Sequence, residues 1–201
     1  MNSFKFHYKC VDCGATYEES QVIYLCPVCS EFNSLDKPPR GVLNTIYNYQ
    51  NLVNNGIDFV KLAHNNFMNL MPFQEFGSLP NLRIGSTPLY NYRGYGNSGV
   101  SYNIFLKDDS QNPTYSFKDR ASSVVSAYAL ENDIDTIITA STGNAGSSLA
   151  GICAAQGQKA IIIVPHSAPV AKLTQILMYG ATIIPVKGTY DDAFDLSIEA
   201  T

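Results

Sequence analysis

Two pairs of cysteines near the amino end have the spacing of metal ligands. Cys10 and Cys13 form the first Cys-x-x-Cys pair, Cys26 and Cys29 form the second, and twelve residues separate the pairs. Thiolates at this spacing are typical ligands of a tetrahedral Zn²⁺ ion, and four protein ligands make such a site structural. The pattern predicts a structural zinc site; the alternatives are a degenerate ribbon without metal and four reduced structural cysteines. Cys153 lies in an apolar segment and is expected to be a small core residue.

A lysine near the start of a predicted helix is the first candidate for covalent chemistry. Ser116 and Asp119 have the spacing of a capping box, which predicts a helix from Ser116 with Lys118 in its first turn. The helix dipole disfavours an ammonium ion there, and a neutral amine is a nucleophile toward an aldehyde or ketone. The neighbouring Phe117 and Tyr115 are large enough to cover a flat aromatic ring. On this pattern alone, a solvated surface lysine is the more common outcome.

The segment from Ser141 to Gly146 is the second candidate. It follows a predicted strand and opens a predicted helix, and its small residues let backbone amides approach an anion closely. Ligands bind at this end of the strands in open α/β sheets. Asn144 adds a side chain that can donate a hydrogen bond to a phenolate oxygen. The alternative is a turn that serves only to pack a helix on a strand.

The elements that must position these residues alternate along the second half of the chain. Continuous β-branched runs separated by short helical segments predict a parallel sheet covered on both faces. The predicted strands are Thr136–Thr139, Ala160–Val164 and Ala181–Val186, and the predicted helices are Ala145–Gln156, Val170–Tyr179 and Tyr190–Thr201. Earlier strands are predicted at Phe4–Lys9, Val22–Leu25, Thr87–Arg93 and Tyr102–Lys107, the last two joined by a turn at Gly94–Gly99. Between residues 42 and 76 we expect at least one helix and place no motif.

Composition and charge exclude several classes of protein. The chain is 45% hydrophobic, which is enough for a packed core, and its net charge of −4 is unlike that of a nucleic-acid-binding protein. The longest apolar run, residues 160–165, is far too short to cross a bilayer. No secretory signal opens the sequence, so we expect reduced thiols rather than disulfides. We therefore expect a cytoplasmic protein without nucleic-acid or membrane partners.

Taken together, the motifs resemble those of the fold type II (β-family) pyridoxal-phosphate enzymes, and within them most closely the threonine synthases. Asn112-Pro-Thr-Tyr-Ser-Phe-Lys-Asp-Arg120 looks like the cofactor-lysine motif, and Ser141-Thr-Gly-Asn144 looks like the substrate and cofactor loop. Gly85-Ser-Thr-Pro-Leu89 and Phe105-Leu-Lys-Asp-Asp109 match the entry strands in order and spacing. The double cysteine motif in residues 1–35 resembles an extension found on some threonine synthases.

The resemblance implies an α/β fold of the tryptophan synthase β type and a role for each matched residue. Lys118 is then the catalytic lysine that holds pyridoxal 5'-phosphate as a Schiff base and later moves protons. Asn144 hydrogen-bonds the cofactor's 3'-oxygen and Phe117 packs near its ring, while Ser141, Thr142 and Gly143 hold the substrate α-carboxylate. The implied reaction converts O-phosphohomoserine and water to threonine and phosphate. Asp119 and Arg120 are expected to fix the helix start.

The resemblance also implies a domain plan. We expect a zinc-ribbon-like unit at 1–35, a linker and helical segment at 36–84, the start of the large cofactor domain at 85–130, and an incomplete small α/β domain at 131–201. The chain is expected to be an N-terminal fragment that is inactive alone, because this family's phosphate-binding loop and the partner of the pyridine nitrogen lie further along. A homodimer is compatible with the full-length protein.

Tyr115 stands where the family commonly has a small residue, which leaves the shape of the substrate pocket open. Two sister activities therefore stay as alternatives: cysteate synthase and a diamino-acid ammonia-lyase. A non-catalytic zinc-ribbon interaction module is the alternative from a different class of protein.

Overall fold

A computed structural model describes residues 5–22, 24–34, 37–93 and 103–200 of the chain. The backbone divides into two compact units, Met1–Gln74 and Glu75–Thr201. The turn predicted at Gly94–Gly99 lies outside the described residues, as do Phe4 and Tyr102, with which two of the predicted strands begin. Within the described ranges, no helix combines the length and the apolar character needed to span a bilayer.

The first unit is built on a small antiparallel sheet in which β1 lies between β2 and β3. The strands are β1 Phe6–Cys10, β2 Thr16–Tyr17 and β3 Leu43–Tyr47. β1 pairs with β3 along its whole length, from Phe6 opposite Tyr47 to Cys10 opposite Leu43. The α-helices described in this unit are α1 Pro27–Ser30, α2 Tyr49–Asn54 and α3 Phe59–His64.

Two predictions for the first unit meet different outcomes. The helix expected between residues 42 and 76 is confirmed by α2 and α3, each of which begins after a side-chain cap from Asn48 or Asp58. The strand predicted at Val22–Leu25 is wrong. Leu25 forms a single bridge with Val42, and Ile23 lies outside the described residues. Val22 and Tyr24 belong to no strand, and β3 pairs with β1.

The second unit contains an antiparallel pair of strands followed by alternating helices and parallel strands. The pair is β4 Leu89–Arg93 and β5 Asn103–Lys107. The parallel sheet has the order β6-β7-β8, with β6 Thr136–Ala140, β7 Lys159–Pro165 and β8 Thr182–Val186. The helices are α4 Lys118–Glu131, α5 Asn144–Gln156, α6 Val170–Met178 and α7 Tyr190–Glu199. The predicted parallel sheet is confirmed.

Helices cover both faces of the parallel sheet, as the continuous apolar strands predict. Neighbouring residues of β7 point to opposite sides: Ile162 packs with Ile176 of α6 and with residues of α5, whereas Ile163 packs with Ala193 of α7. These four positions are at most 1% exposed. Cys153 is fully buried in the α5 side of this core, and burial raises its pKa to about 11. This packing fixes the carboxyl end of β6, from which the Ser141–Gly146 loop emerges.

Candidate functional site

The four paired cysteines converge on one point of the first unit. Their Sγ atoms all lie within 4.8 Å of one another, with Cys10 and Cys29 3.9 Å apart and Cys13 and Cys26 3.8 Å apart. Four sulfurs bound tetrahedrally at about 2.3 Å from a zinc ion lie about 3.8 Å from one another. The separations far exceed a disulfide bond of about 2.0 Å. The donor set and its size therefore fit a four-thiolate metal site.

Short backbone hydrogen bonds shape both turns that carry these cysteines. The first turn closes where the Gly14 amide donates to the Cys10 carbonyl at 3.0 Å, with Gly14 in the left-handed region at φ +75°. The second turn starts α1, where the Ser30 amide donates to the Cys26 carbonyl at 3.0 Å. Gly41 joins the two turns, because it donates to Asp12 at 2.6 Å and accepts from the Cys26 amide at 2.8 Å.

The thiols have unequal tendencies to ionise. The Tyr17 hydroxyl lies 3.0 Å from the Cys26 Sγ atom and, by donating to it, lowers the pKa of Cys26 to about 6. Burial, reinforced by the neighbouring thiols, raises the pKa of Cys29 to about 12. If all four thiols ionised, the adjacent thiolates would repel one another unless a cation lay among them, and a divalent metal ion would supply that charge.

Lys118 is the first residue of α4 and is half-buried. Its Nζ atom lies 4.7 Å from the centroid of the Phe117 ring, whose side chain is 57% exposed. The predicted placement of Lys118 in a first helical turn is confirmed, but the predicted capping box is wrong. Phe117, not Ser116, occupies the N-cap position, and the Ser116 hydroxyl accepts instead from the Lys118 amide at 3.3 Å.

The Asp119 carboxylate does not fold back on its own helix start. It is fully buried, accepts the Thr114 amide at 2.7 Å and the Thr114 hydroxyl, and accepts the Ser148 hydroxyl of α5 at 2.6 Å. The same Ser148 hydroxyl lies 2.8 Å from that of Ser122. A buried carboxylate needs such donors, because an unpaired charge in the interior is strongly unfavourable. Asp119 therefore ties the turn before Lys118 to the neighbouring helix.

A second network holds the other side of this turn. Arg120 forms two bonds with the Asp109 carboxylate, at 2.8 and 3.0 Å, and Thr87 donates to the same carboxylate at 2.6 Å. The Arg120 guanidinium is the main cause that lowers the pKa of Asp109 to about 2. Asn112 accepts the Gly85 amide at 2.9 Å. The predicted entry strand and lysine motif are thus joined through side chains.

The Ser141–Gly146 loop opens α5 at the carboxyl end of β6. The buried Ser141 hydroxyl accepts the Gly146 amide at 2.9 Å and the Gly143 amide at 3.3 Å. Gly143 is the N-cap residue, and the half-buried Thr142 lies between them. Asn144 is the first residue of the helix and has an exposed side chain. The loop therefore presents a helix N-terminus, which attracts anions.

Lys118 and Asn144 occupy equivalent places on two adjacent helices. Each is the first residue of its helix, and α4 packs against α5. Asp119, the second residue of α4, contacts Ser148, which lies about one turn into α5. Gly151 of α5 lets the turn before α4 approach closely, because a Cβ atom on it would lie 2.7 Å from the Thr114 methyl carbon. The structure thus brings the lysine motif and the loop motif to the same end of a helix pair.

A family model described as pyridoxal-phosphate dependent enzyme matches residues 81–201, more than half of the chain. The chain belongs to this family.

Relatives in the family include threonine synthases of two archaea. That of Methanocaldococcus jannaschii is 32% identical over 194 residues, which cover 94% of this chain and 45% of the relative. That of Methanosarcina acetivorans is 32% identical over 197 residues, which cover 95% of this chain and 45% of the relative. The chain therefore spans about half the length of the curated relatives that it matches.

Solved structures of the family share the fold. A hydrogen sulfide-producing enzyme from Fusobacterium nucleatum superposes with a TM-score of 0.52 at 28% identity, over 58% of this chain and 39% of that one. The α/β fold type II predicted from the motifs is confirmed.

The sequence did not predict one contact beside the Ser141–Gly146 loop. Lys172 of α6 donates to the Asn144 side-chain oxygen at 2.7 Å and to Gln175 at 3.2 Å. Lys172 is the third residue of its helix, a place where the dipole disfavours a cation, and this position is the signal that could have drawn attention to it.

Proposed function

We propose that this chain supplies the cofactor lysine, the substrate loop and a structural zinc site of a pyridoxal-phosphate-dependent threonine synthase. The observation that carries the proposal is the placement of Lys118 and Asn144 as first residues of two helices joined through Asp119 and Ser148. The two archaeal threonine synthases, similar over nearly the whole chain, support this choice within the family.

The residues at this end of the helix pair fit pyridoxal phosphate. Lys118 offers a half-buried amine beside the aromatic face of Phe117, suited to a planar aldehyde. The Asn144 oxygen is taken by Lys172, so its amide nitrogen is the atom left to donate to the cofactor's 3'-oxygen. When bound, the cofactor supplies an electron sink for carbanions formed beside the amino nitrogen.

The loop before α5 suits the carboxylate of an amino-acid substrate. Gly143 leaves the helix N-terminus open to an anion, and Thr142 adds a hydroxyl. Ser141 accepts two backbone amides, which orients its hydroxyl hydrogen away from them and allows it to donate. We assign Ser141, Thr142 and Gly143 to the α-carboxylate of O-phosphohomoserine.

Lys118 has two tasks in the proposed reaction. It would hold the cofactor through Nζ, and the same atom would accept and return protons of the substrate carbons. Phosphate then leaves the γ-carbon and water adds at the β-carbon to give threonine.

The zinc assignment is a separate part of the proposal. Cys10, Cys13, Cys26 and Cys29 supply the whole coordination shell, so the ion stabilises the first unit and leaves no position for a reactant. The cytoplasmic location and the homodimer stay as predictions.

The test uses the protein that contains this chain, loaded with pyridoxal phosphate. Reduction with borohydride followed by peptide mapping is expected to label Lys118, and O-phosphohomoserine is expected to release phosphate. Lys118→Ala should abolish both, by at least about 1,000-fold for phosphate release, whereas the exposed control Lys187→Ala should change neither. Label on another lysine contradicts the assignment.

Turnover of a different amino acid without phosphate release would select cysteate synthase or a diamino-acid ammonia-lyase instead. Stoichiometric zinc with no cofactor band would select the non-catalytic zinc-ribbon module.

A further inference from the structure

We propose that Lys172 is a positioning residue that fixes the Asn144 side chain with its amide nitrogen toward the cofactor's 3'-oxygen. The inference rests on the proposed function, because it deepens the role of Asn144 in that site. Lys172 itself is not expected to touch the cofactor.

The hydrogen bonds of Lys172 define which way the amide faces. An ammonium group has three donors and no acceptor, so the atom that faces it must be the Asn144 oxygen. The distance of 2.7 Å is typical of a bond from a charged donor. With the oxygen held, the amide nitrogen points away from Lys172 and presents its two hydrogens on the opposite side.

Lys172 lies where a cation is unfavourable, and its hydrogen bond to Asn144 compensates for this location. As the third residue of α6 it lies in the first turn, where the helix dipole repels a cation. The side chain is half-buried, and Gln175, within the same helix, provides a second acceptor at 3.2 Å. α6 packs against α5, which brings the first turns of the two helices together at the ligand-binding end of the sheet.

This arrangement has a chemical consequence at the 3'-oxygen. A cation bound to the amide oxygen polarises the amide, so its N–H groups become stronger donors. A stronger donor favours the ionised, phenolate form of the cofactor. Lys172 is therefore expected to raise both the affinity for pyridoxal phosphate and the share of the long-wavelength absorption band of the lysine-bound cofactor.

The test compares Lys172→Met with Lys172→Arg in the protein that contains this chain, with pyridoxal phosphate as the probe. Lys172→Met is expected to weaken cofactor binding roughly 10-fold and to reduce the long-wavelength band, since a hydrogen bond from a charged donor is lost. Lys172→Arg keeps a cationic donor and should restore most of both. Lys159→Met is the charge-matched control, because Lys159 pairs with Asp135 at the amino end of β7.

A double substitution tests whether Lys172 acts through Asn144. In an Asn144→Ala background, Lys172→Met should have no further effect on affinity or absorption, because the residue it positions is gone. Equal losses in both backgrounds would overturn the proposal, as would a spectrum of Lys172→Met identical to that of the unsubstituted protein with cofactor on Lys118. If the unsubstituted protein carries no cofactor on Lys118, the proposed function itself fails and this inference fails with it.

Discussion

The cysteine cluster and the lysine region are held together by different means. In the first unit, three of the four clustered cysteines are buried, and among the residues that the structure describes the partly buried hydrophobic residues packed against them are Tyr17 and Leu43. In the second unit, α5, which begins at Asn144, packs into an apolar core, α4, which begins at Lys118, packs against α5, and buried hydrogen bonds fix the turns before both helices. We propose that a metal stabilises the first arrangement, whereas packing stabilises the second.

The difference follows from the size of each core. A short three-stranded sheet buries little apolar surface to offset the entropy of ordering its turns, and the proposed zinc would add the missing stability. A parallel sheet covered on both faces buries enough apolar surface to offset the cost of a buried polar group such as Asp119 between α4 and α5. Removing the metal site from the first unit and the buried carboxylate from the second therefore tests the comparison directly.

The largest effect is expected from loss of the metal. Cys26→Ser, or a strong chelator, should release one zinc per chain and eliminate amide protection in β1 and β3, while α5 and β7 stay protected. Apparent zinc binding in small cysteine sites amounts to about 10 kcal/mol or more. Hydrogen exchange with mass spectrometry and a colorimetric zinc assay measure both changes.

Cys153→Ala is the control for this prediction, because Cys153 is equally buried but lies outside the cluster. It should keep the zinc. Persistent protection of β1 and β3 in the metal-free chain would contradict a metal-dependent first unit.

The second effect comes from the buried carboxylate. Asp119→Ala leaves the Thr114 amide and the Ser148 hydroxyl without their acceptor, and we expect a loss of about 2–4 kcal/mol in the free energy of unfolding. Urea unfolding monitored by circular dichroism measures it. Asp191→Asn, at an exposed first-turn position of α7, should cost only about 0.5 kcal/mol. Equal effects of the two substitutions would show that the network adds nothing.

The sequence predicted the parts whose signals are local or periodic. The starts of α4 and α5 near Lys118 and Asn144, the parallel strands and the cysteine pairs all follow from spacing within one segment. The order of segments along the chain also indicated that both helix starts follow strands in the second half of the chain. Their roles in catalysis stay predictions, which the experiments above address.

The sequence carries no local or periodic signal for contacts between distant segments. Asp119 matched a local capping pattern, yet its carboxylate bonds to Ser148, 29 positions away, because α5 packs beside α4. Lys172 reaches Asn144 across 28 positions. β3 was missed because its alternation of apolar and polar residues is weak, although it pairs with β1 along its whole length.

A smaller effect is expected where the two helices touch. Gly151→Ala places a Cβ atom 2.7 Å from the Thr114 methyl carbon, and Thr114 cannot move freely because Asp119 holds it. The clash is expected to exceed the gain in helix propensity, for a net loss of about 1 kcal/mol in the free energy of unfolding. Thermal unfolding measures it. Gly77→Ala is the control, since no atom lies within 4 Å of its added Cβ.

The smallest effect concerns the ion pair between Arg120 and Asp109. Arg120→Met should lower stability at neutral pH by less than Gly151→Ala does, because the pair is partly exposed to solvent. The pKa of Asp109 is about 2 in the folded protein and has the ordinary value near 4 in the unfolded chain.

A carboxyl group with a lowered pKa in the folded state stabilises the protein above its unfolded pKa, and the contribution is lost as pH falls through the folded value. The stability difference between Arg120→Met and the unsubstituted chain should therefore be nearly constant above about pH 4, shrink as the pH falls toward 2, and vanish below that pH. Urea unfolding at several pH values measures this difference. A difference that persists unchanged at pH 2 would mean that Arg120 contributes through packing rather than charge, and the lysine turn would then depend on apolar contacts even at its surface.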